Sequence, residues 1–88
     1  MARVFIPVTL RPLTDGHEIV EVVGSTVRRV IDALEARHPG MQVHLRNGDQ
    51  LRSGLSVVVD GTVAPMGLMQ HVEEDSEVHF LPAISGGC

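Results

Sequence analysis

The last three residues of the sequence, Gly86, Gly87 and Cys88, place two glycines beside the only thiol. Adjacent glycines lose much backbone entropy on ordering, so we expect residues 83–88 to form a flexible tail. Residues 82–88 would reach roughly 20 Å from the folded body when extended. Because Gly86 and Gly87 lack side chains, the tail suits insertion into a narrow channel of another protein.

The reactive side chains do not form the patterns of an enzyme. A catalytic thiol needs a base and an oxyanion site in fixed geometry, and a cysteine that follows two glycines has neither. The histidines show no i, i+4 pair and no cluster with Cys88, so no zinc site is predicted: His17, His38, His44, His71 and His79. No P-loop, dinucleotide fingerprint or nucleophile elbow is present. We therefore expect neither a catalytic residue nor a bound cofactor or metal.

Composition excludes several classes of function. The formal net charge is −4 and only Phe5 and Phe80 are aromatic, so neither a phosphate backbone nor stacked bases are expected partners. No stretch reaches transmembrane length, and the N-terminus lacks the pattern of a signal peptide. We expect a cytoplasmic protein that binds no nucleic acid and no membrane, with its single cysteine reduced.

All seven basic residues are arginine. A genome that favours arginine codons would explain the absence of lysine. Alternatively, lysine is absent because its amine would attack an activated acyl group at the C-terminus. In either case the chain cannot form lysine-linked chains on itself.

Apolar alternation predicts four strands: residues 4–10, 18–23, 55–60 and 77–82. Thr14, Asp15 and Gly16 predict a turn between the first two strands. Pro7 lacks an amide donor, so it is expected at a sheet edge or a bulge. Residues 63–69 show no regular pattern.

An apolar stripe predicts a helix between the second and third strands: Val27, Val30, Ile31 and Leu34. Ser25 or Thr26 can cap its start, and residues 38–40 end it. The order is ββαββ, an α+β fold in which one helix covers one face of a mixed sheet and the first and last strands lie parallel at its centre. A β-grasp domain over residues 1–82, followed by the tail 83–88, fits this order.

The chain resembles the ThiS/MoaD/CysO family of ubiquitin-like sulfur carrier proteins in four segments: IPVTLRPLTDGHE, VRRVIDALEARHPG, SVVVDG and above all EVHFLPAISGG. The most specific piece is the last strand, which runs through Leu-Pro into Gly-Gly. The stretch TLRPLT is most similar to the CysO branch. The resemblance spans nearly the whole chain and implies a carrier that partner enzymes act on.

The resemblance also implies a chemistry for the tail. An E1-like (ThiF/MoeB-type) adenylyltransferase would use ATP to adenylate the terminal glycine, because a free carboxylate is a poor electrophile. A sulfur donor protein would then form a thiocarboxylate, which delivers sulfur to a sulfur-accepting biosynthetic enzyme. Gly87 would be the acyl carrier and Gly86 its channel-fitting neighbour, while ATP stays with the partner.

Cys88 departs from the family pattern, which usually ends at Gly-Gly. The carbonyl of Gly87 lies in a peptide bond and cannot be adenylated directly. In the preferred reading, a zinc-dependent JAMM-type metallopeptidase removes Cys88. In a second reading, the bond to Cys88 resembles the product of a CysO-type cysteine synthesis, in which a thiocarboxylate captures an aminoacrylate and an S-to-N acyl shift follows. In a third, Cys88 acts directly as a thiol.

A partner-docking patch is expected where the last strand enters the tail. His79 and Leu81 fall on its outward face, and Pro82 and Ile84 follow them. Arg11, predicted near the end of the first strand, would flank the patch. Alternatively, Leu81 packs under the loop that follows residue 61.

Two other classes of function remain open. One is the small subunit of molybdopterin synthase, whose tail stays inserted in a larger partner. The other is a ubiquitin-like protein modifier or interaction module. The pathway served by a sulfur carrier is equally open among cysteine, thiamine, molybdopterin and other sulfur metabolites. We expect a monomer, although an unpaired sheet edge near Pro7 would permit association.

Overall fold

The fold begins with a hairpin. The computed structural model describes residues 1–52 and 54–82. In it, β1 (Ala2–Phe5) pairs antiparallel with β2 (Ile19–Val22), and a first 3₁₀ helix (Val8–Thr14) connects the two strands. Alternate residues of both strands are buried, as expected for a sheet with one covered face.

The main helix, α1 (Val27–Arg37), follows β2 and covers one face of the sheet. Thr26 caps its first turn, because its side-chain oxygen accepts a hydrogen bond from the backbone N–H of Arg29 at 3.2 Å. The predicted apolar stripe is completely buried: Val27, Val30, Ile31 and Leu34. The sequence pattern therefore predicted both this helix and its buried face correctly.

The second half of the chain adds short elements and the strands that complete the sheet. They are, in chain order, α2 (Gln42–Leu45), β3 (Arg46–Asn47), β4 (Gln50–Leu51), β5 (Leu55–Val59), β6 (Thr62–Val63), a second 3₁₀ helix (Gly67–Met69) and β7 (Glu77–Pro82). β3 and β4 form a separate two-stranded hairpin. Among the described residues, no helix is long and apolar enough to cross a membrane.

The main sheet has the strand order β2-β1-β7-β5-β6. β7 runs parallel to β1 on one side and antiparallel to β5 on the other. A parallel pair requires a long crossover, which α1 and the elements after it provide. This confirms the predicted mixed sheet with its first and last strands paired at the centre, in a ubiquitin-like β-grasp arrangement.

The hydrophobic core lies between α1 and the covered face of the sheet. Val78 and Phe80 of β7 point into it and are 0% and 1% exposed. Met41 and Leu45, at the two ends of the α2 segment, are also completely buried. Truncating one such large residue to alanine is expected to cost about 2–5 kcal/mol of unfolding free energy.

The predicted strand over residues 4–10 is wrong in its second half. Pro7 has φ −57° and ψ 145° and has no N–H for a strand ladder, so the chain leaves the sheet there. Residues Val8–Thr14 instead form the first 3₁₀ helix, which buries Leu10 and leaves Val8 70% exposed. Because β1 lies between β2 and β7, Pro7 ends an interior strand rather than marking a sheet edge.

Candidate functional site

The candidate tail continues from the central strand of the sheet. β7 ends at Pro82, whose side chain is not described. Ile84, Gly86, Gly87 and Cys88 lie outside the described residues, so the roles assigned to them stay predictions. The structure defines the strand that leads to them.

The start of β7 is held by a carboxylate in the turn after β5. Asp60 accepts hydrogen bonds from the hydroxyl of Ser76 at 2.7 Å and from the backbone N–H of Glu77 at 2.9 Å. Both bonds stabilise the carboxylate and so lower the pKa of Asp60 below its ordinary value, and the bond from Ser76 has the larger effect. Because side chains alternate along a strand, fixing its first residue decides which face each later residue occupies.

One row of side chains crosses the open face of the sheet, the face that α1 does not cover. We call it the apolar row, and its members, in spatial order, are Ile19, Phe5, His79, Val58 and Val63. Each is the direct cross-strand partner of the next, and such partners contact one another. At the two ends of the row, Ile19 is 45% exposed and Val63 is 64% exposed.

His79 and Leu81 both lie on this open face. The His79 ring stacks on the ring of Phe5, with centroids 4.0 Å apart and an interplanar angle of 8°. Leu81 is paired with Ser56 on β5 and is 48% exposed. Half of the Leu81 surface is therefore free for contact, and it is not packed under the loop after residue 61.

Arg11 lies in the first 3₁₀ helix and not in a strand. Its Nε donates a hydrogen bond to the carbonyl of Ile6 at 3.2 Å, and its Nη1 lies 3.5 Å from a carboxylate oxygen of Glu18. Arg11, His79 and Leu81 line one groove of about 410 Å³. The structure thus brings together three of the predicted docking residues.

The open face is divided by polarity along the strands. Next to the apolar row, toward the start of β7, lies a charged row formed by Glu21, Arg3 and Glu77. Arg3 and Glu77 form an ion pair of 2.9 Å at the surface, an interaction that typically contributes no more than about 1 kcal/mol. The apolar part of the face therefore borders the end of β7 from which the tail continues.

Sequence reasoning missed four members of the apolar row: Ile19, Phe5, Val58 and Val63. Alternation indicates the face on which a strand residue lies for Ile19, Phe5 and Val58, but β6 is too short to show it for Val63. Only the pairing register shows that the four lie side by side with His79.

Within residues 1–52 and 54–82, no group of three His, Cys, Asp or Glu side chains is placed to hold a metal ion. The candidate site presents aliphatic and aromatic area, one arginine and the origin of the tail.

The chain matches the model of the ThiS family over residues 4–87, which includes both Gly86 and Gly87. It is 32% identical over 89 residues to sulfur carrier protein CysO of Mycobacterium tuberculosis (strain ATCC 25618 / H37Rv), with 96% of each chain covered. The protein of the same name from Mycobacterium bovis (strain ATCC BAA-935 / AF2122/97) matches equally.

Solved structures agree with this match. CysO in the BexX/CysO complex of Amycolatopsis orientalis has a TM-score of 0.89 and 33% identity, with 99% of this chain and 100% of that chain covered. CysO of Mycobacterium tuberculosis has a TM-score of 0.88 and 29% identity, with 96% and 100% covered. Small archaeal modifier protein 1 of Methanosarcina acetivorans has a TM-score of 0.78 at 23% identity, with 98% and 95% covered, and so shares the fold alone. Together with the match over residues 4–87, these likenesses identify the chain as a member of the ThiS family.

Proposed function

We propose that the chain is a sulfur carrier whose Gly87 is converted to a thiocarboxylate by partner enzymes. The observation that carries the proposal is the family match, which extends through β7 and includes Gly86 and Gly87. Relatives that align with almost the whole chain bear the name sulfur carrier protein. As a member of this family, the chain is a carrier rather than an enzyme.

Activation begins with a free carboxylate on Gly87. An E1-like adenylyltransferase joins this carboxylate to the AMP portion of ATP and releases pyrophosphate, which turns a poor electrophile into a reactive acyl group. A sulfur donor protein then supplies sulfur at the sulfide level, which bonds to the acyl carbon as AMP leaves, and a thiocarboxylate results. When the sulfur-accepting enzyme has taken the sulfur, water provides the oxygen that replaces it, so the carrier is regenerated as a carboxylate.

The open face of the sheet is the proposed docking surface for these partners. The apolar row and Leu81 offer aliphatic and aromatic area, and Arg11 adds a charge at the margin. Protein interfaces commonly combine an apolar centre with a polar rim. Residues 83–87 would span roughly 17 Å if extended, enough for Gly87 to reach a recessed site in a partner docked on this face.

Cys88 must leave before Gly87 can be adenylated. In the proposed step, a JAMM-type metallopeptidase adds water across the bond between Gly87 and Cys88, which releases cysteine and the Gly87 carboxylate. The same cleavage would release cysteine if that bond were formed by an S-to-N acyl shift on a thiocarboxylate. Both routes require a hydrolase partner and yield the same trimmed carrier.

Intact mass spectrometry of the protein from its own cells, lysed with and without a zinc chelator, tests the proposal. We expect a species that lacks Cys88 and a second species in which one oxygen is replaced by sulfur. Oxidation of any of the four methionines gives nearly the same mass shift, so fragmentation must locate the change at Gly87. A chain that always retains Cys88 and carries no thiocarboxylate would contradict the proposal.

Pyrophosphate exchange with the adenylyltransferase isolates the role of Cys88. We expect exchange with a chain that ends at Gly87 and none with the full chain, because only the former has a carboxylate at that position. Equal exchange from both would show that removal of Cys88 is not required.

A further inference from the structure

Among the residues that the structure describes, none pairs as a strand with the backbone groups on the outer side of β2. The N–H of Ile6 donates to the carbonyl of Glu18 at 2.7 Å. In an antiparallel strand, the direction of the backbone N–H and C=O groups alternates from one residue to the next. Glu18 and every second residue after it therefore bond to β1, whereas Ile19 and Glu21 direct their N–H and C=O groups away from β1. β2 is an end strand of the sheet. Such an edge can accept a further strand.

Arg37 lies against this edge. Its Nη1 donates a hydrogen bond to the carbonyl oxygen of Glu21 at 2.6 Å. Within the described part of the chain, no carboxylate forms an ion pair with Arg37. Its full positive charge thus faces a neutral carbonyl. The N–H of an added strand could take over the bond to Glu21 and release the guanidinium for a carboxylate, which is a stronger partner.

The groove beside this edge contains two arginines, of which Arg3 is already paired with Glu77 at 2.9 Å. Arg37 is the one for which the described residues supply no carboxylate. The groove has a volume of about 690 Å³ and is lined by Arg3, His17, Arg37 and His38, with Glu21 as the acidic member. The chain as a whole carries a formal charge of −4. A ligand that complements the groove is therefore anionic, and one that complements the edge is an extended polypeptide.

We propose that the β2 edge binds an extended acidic segment of a partner protein, which adds as a sixth strand beside β2. Its carboxylates contact Arg37, and an apolar side chain packs on the exposed part of Ile19. A second copy of the chain suits the site less well, because two molecules of charge −4 repel each other. This edge shares Ile19 with the apolar row, but β1 separates it from β7, so the inference does not depend on the chemistry at Gly87.

Titration of the ¹⁵N-labelled full chain with a capped peptide of alternating glutamate and valine tests the proposal. We expect the amide signals of Ile19 and Glu21 to shift and to gain protection from hydrogen exchange. A peptide with glutamine in place of glutamate should bind about tenfold more weakly, because it lacks the carboxylates that pair with Arg37. The absence of any change at these amides would overturn the proposal.

A pair of arginine variants tests the cation. Arg37→Gln keeps an N–H donor near Glu21 but removes the charge, and should raise the Kd of the acidic peptide about tenfold. Arg29→Gln removes an exposed charge from another part of α1 and should leave the Kd unchanged. Equal effects of the two variants would show that only the overall charge matters, and would overturn the assigned site.

A donor-free peptide tests strand addition itself. The acidic peptide with N-methylated amides keeps its charge but cannot donate to β2, so it should not bind. Glu21→Pro, which removes an outward N–H, should abolish binding as well, with circular dichroism confirming the fold. Undiminished binding of the methylated peptide would overturn strand addition even if the proline variant fails to fold. Concentration-dependent dimerisation that protects the same amides would show that a second copy of the chain occupies the edge, and would overturn the assignment to a partner protein.

Discussion

At the scale of single residues, Gly24 is required by a close approach between backbone segments. It lies between β2 and α1, and a Cβ built on it would lie 2.8 Å from the backbone nitrogen of Val30. Contacts this short do not occur for real Cβ atoms, and the neighbouring atom belongs to a rigid helix. Gly24→Ala should therefore lower the free energy of unfolding by about 1–3 kcal/mol, measured by urea denaturation.

A neighbouring substitution provides the control for Gly24. Ser25 is exposed, so Ser25→Ala should change the unfolding free energy by less than about 0.5 kcal/mol. A Gly24→Ala protein as stable as the Ser25→Ala protein would show that the start of α1 can shift away from β2 without cost.

At the scale of elements, the anchor of β7 makes stability depend on pH. The hydroxyl of Ser76 and the N–H of Glu77 lower the pKa of Asp60 in the folded protein. The stability from this anchor is present above the unfolded aspartate pKa of about 4, and is lost as the pH falls through the lower folded pKa. In Asp60→Asn, the unfolding free energy should be lower at neutral pH and should decline less between neutral and acid pH. Denaturation at a series of pH values measures this difference.

A second carboxylate must be separated from this effect. The N–H groups of Gln42 and Gly40 hydrogen-bond to Glu35 and lower its pKa as well, so it also contributes stability that acid removes. Glu35→Gln should remove that part of the acid dependence. In the double variant with Asp60→Asn, the unfolding free energy should depend less on pH than in either single variant. The choice of asparagine at position 60 avoids a backbone cost, because this residue has φ 52° and asparagine tolerates that region. An unchanged acid slope in both single variants would contradict the assignment.

How much of each element the sequence predicts depends on how local its causes are. α1 and β7 were predictable because their periodicity, caps and turn residues lie within the same segment. The extension of β1 to residue 10 failed because apolar alternation continues past Pro7, while the missing N–H ends the strand. In the 3₁₀ helix that follows, Leu10 reaches the core by a helical turn instead of by strand alternation. The two-residue strand β6 carries too few residues to show any pattern.

At the scale of the whole molecule, the open face should determine partner binding. Leu81→Glu places a charge beside the apolar row and should raise the KM of the adenylyltransferase for the trimmed carrier about tenfold or more. The fold should be unaffected, because Leu81 is 48% exposed. Pyrophosphate exchange measures the KM.

The matched control is a charge on an exposed valine elsewhere. Val43 on α2 is 58% exposed and lies outside the apolar row, so Val43→Glu should leave the KM unchanged. A similar increase in both variants would show that added negative charge, and not the position on the sheet, weakens the interaction.

The candidate site was partly predictable for the same reason as the elements. The outward positions of His79 and Leu81 follow from alternation within one strand. The role of Gly86 and Gly87 is predicted from the residue type alone. Phe5 and Ile19 join the candidate site through the pairing of β1 with β7 and with β2. The paired residues are far apart in the sequence, so local patterns carry no information about which of them lie side by side. Arg11 was placed near the patch although its element was predicted wrongly, since Pro7 ends β1 close to the same end of the sheet.

The parallel pairing of β1 with β7 also makes the sheet depend on a late segment of the sequence. The sheet lacks its central strand until residue 82 has been made, so a ribosome-bound chain that stops earlier has no continuous open face. Contacts between residues so far apart in sequence also form slowly. Residues 83–85 separate β7 from Gly86 and Gly87. A partner that recognises the finished face should therefore bind only chains in which β7 has been made and has paired with β1 and β5.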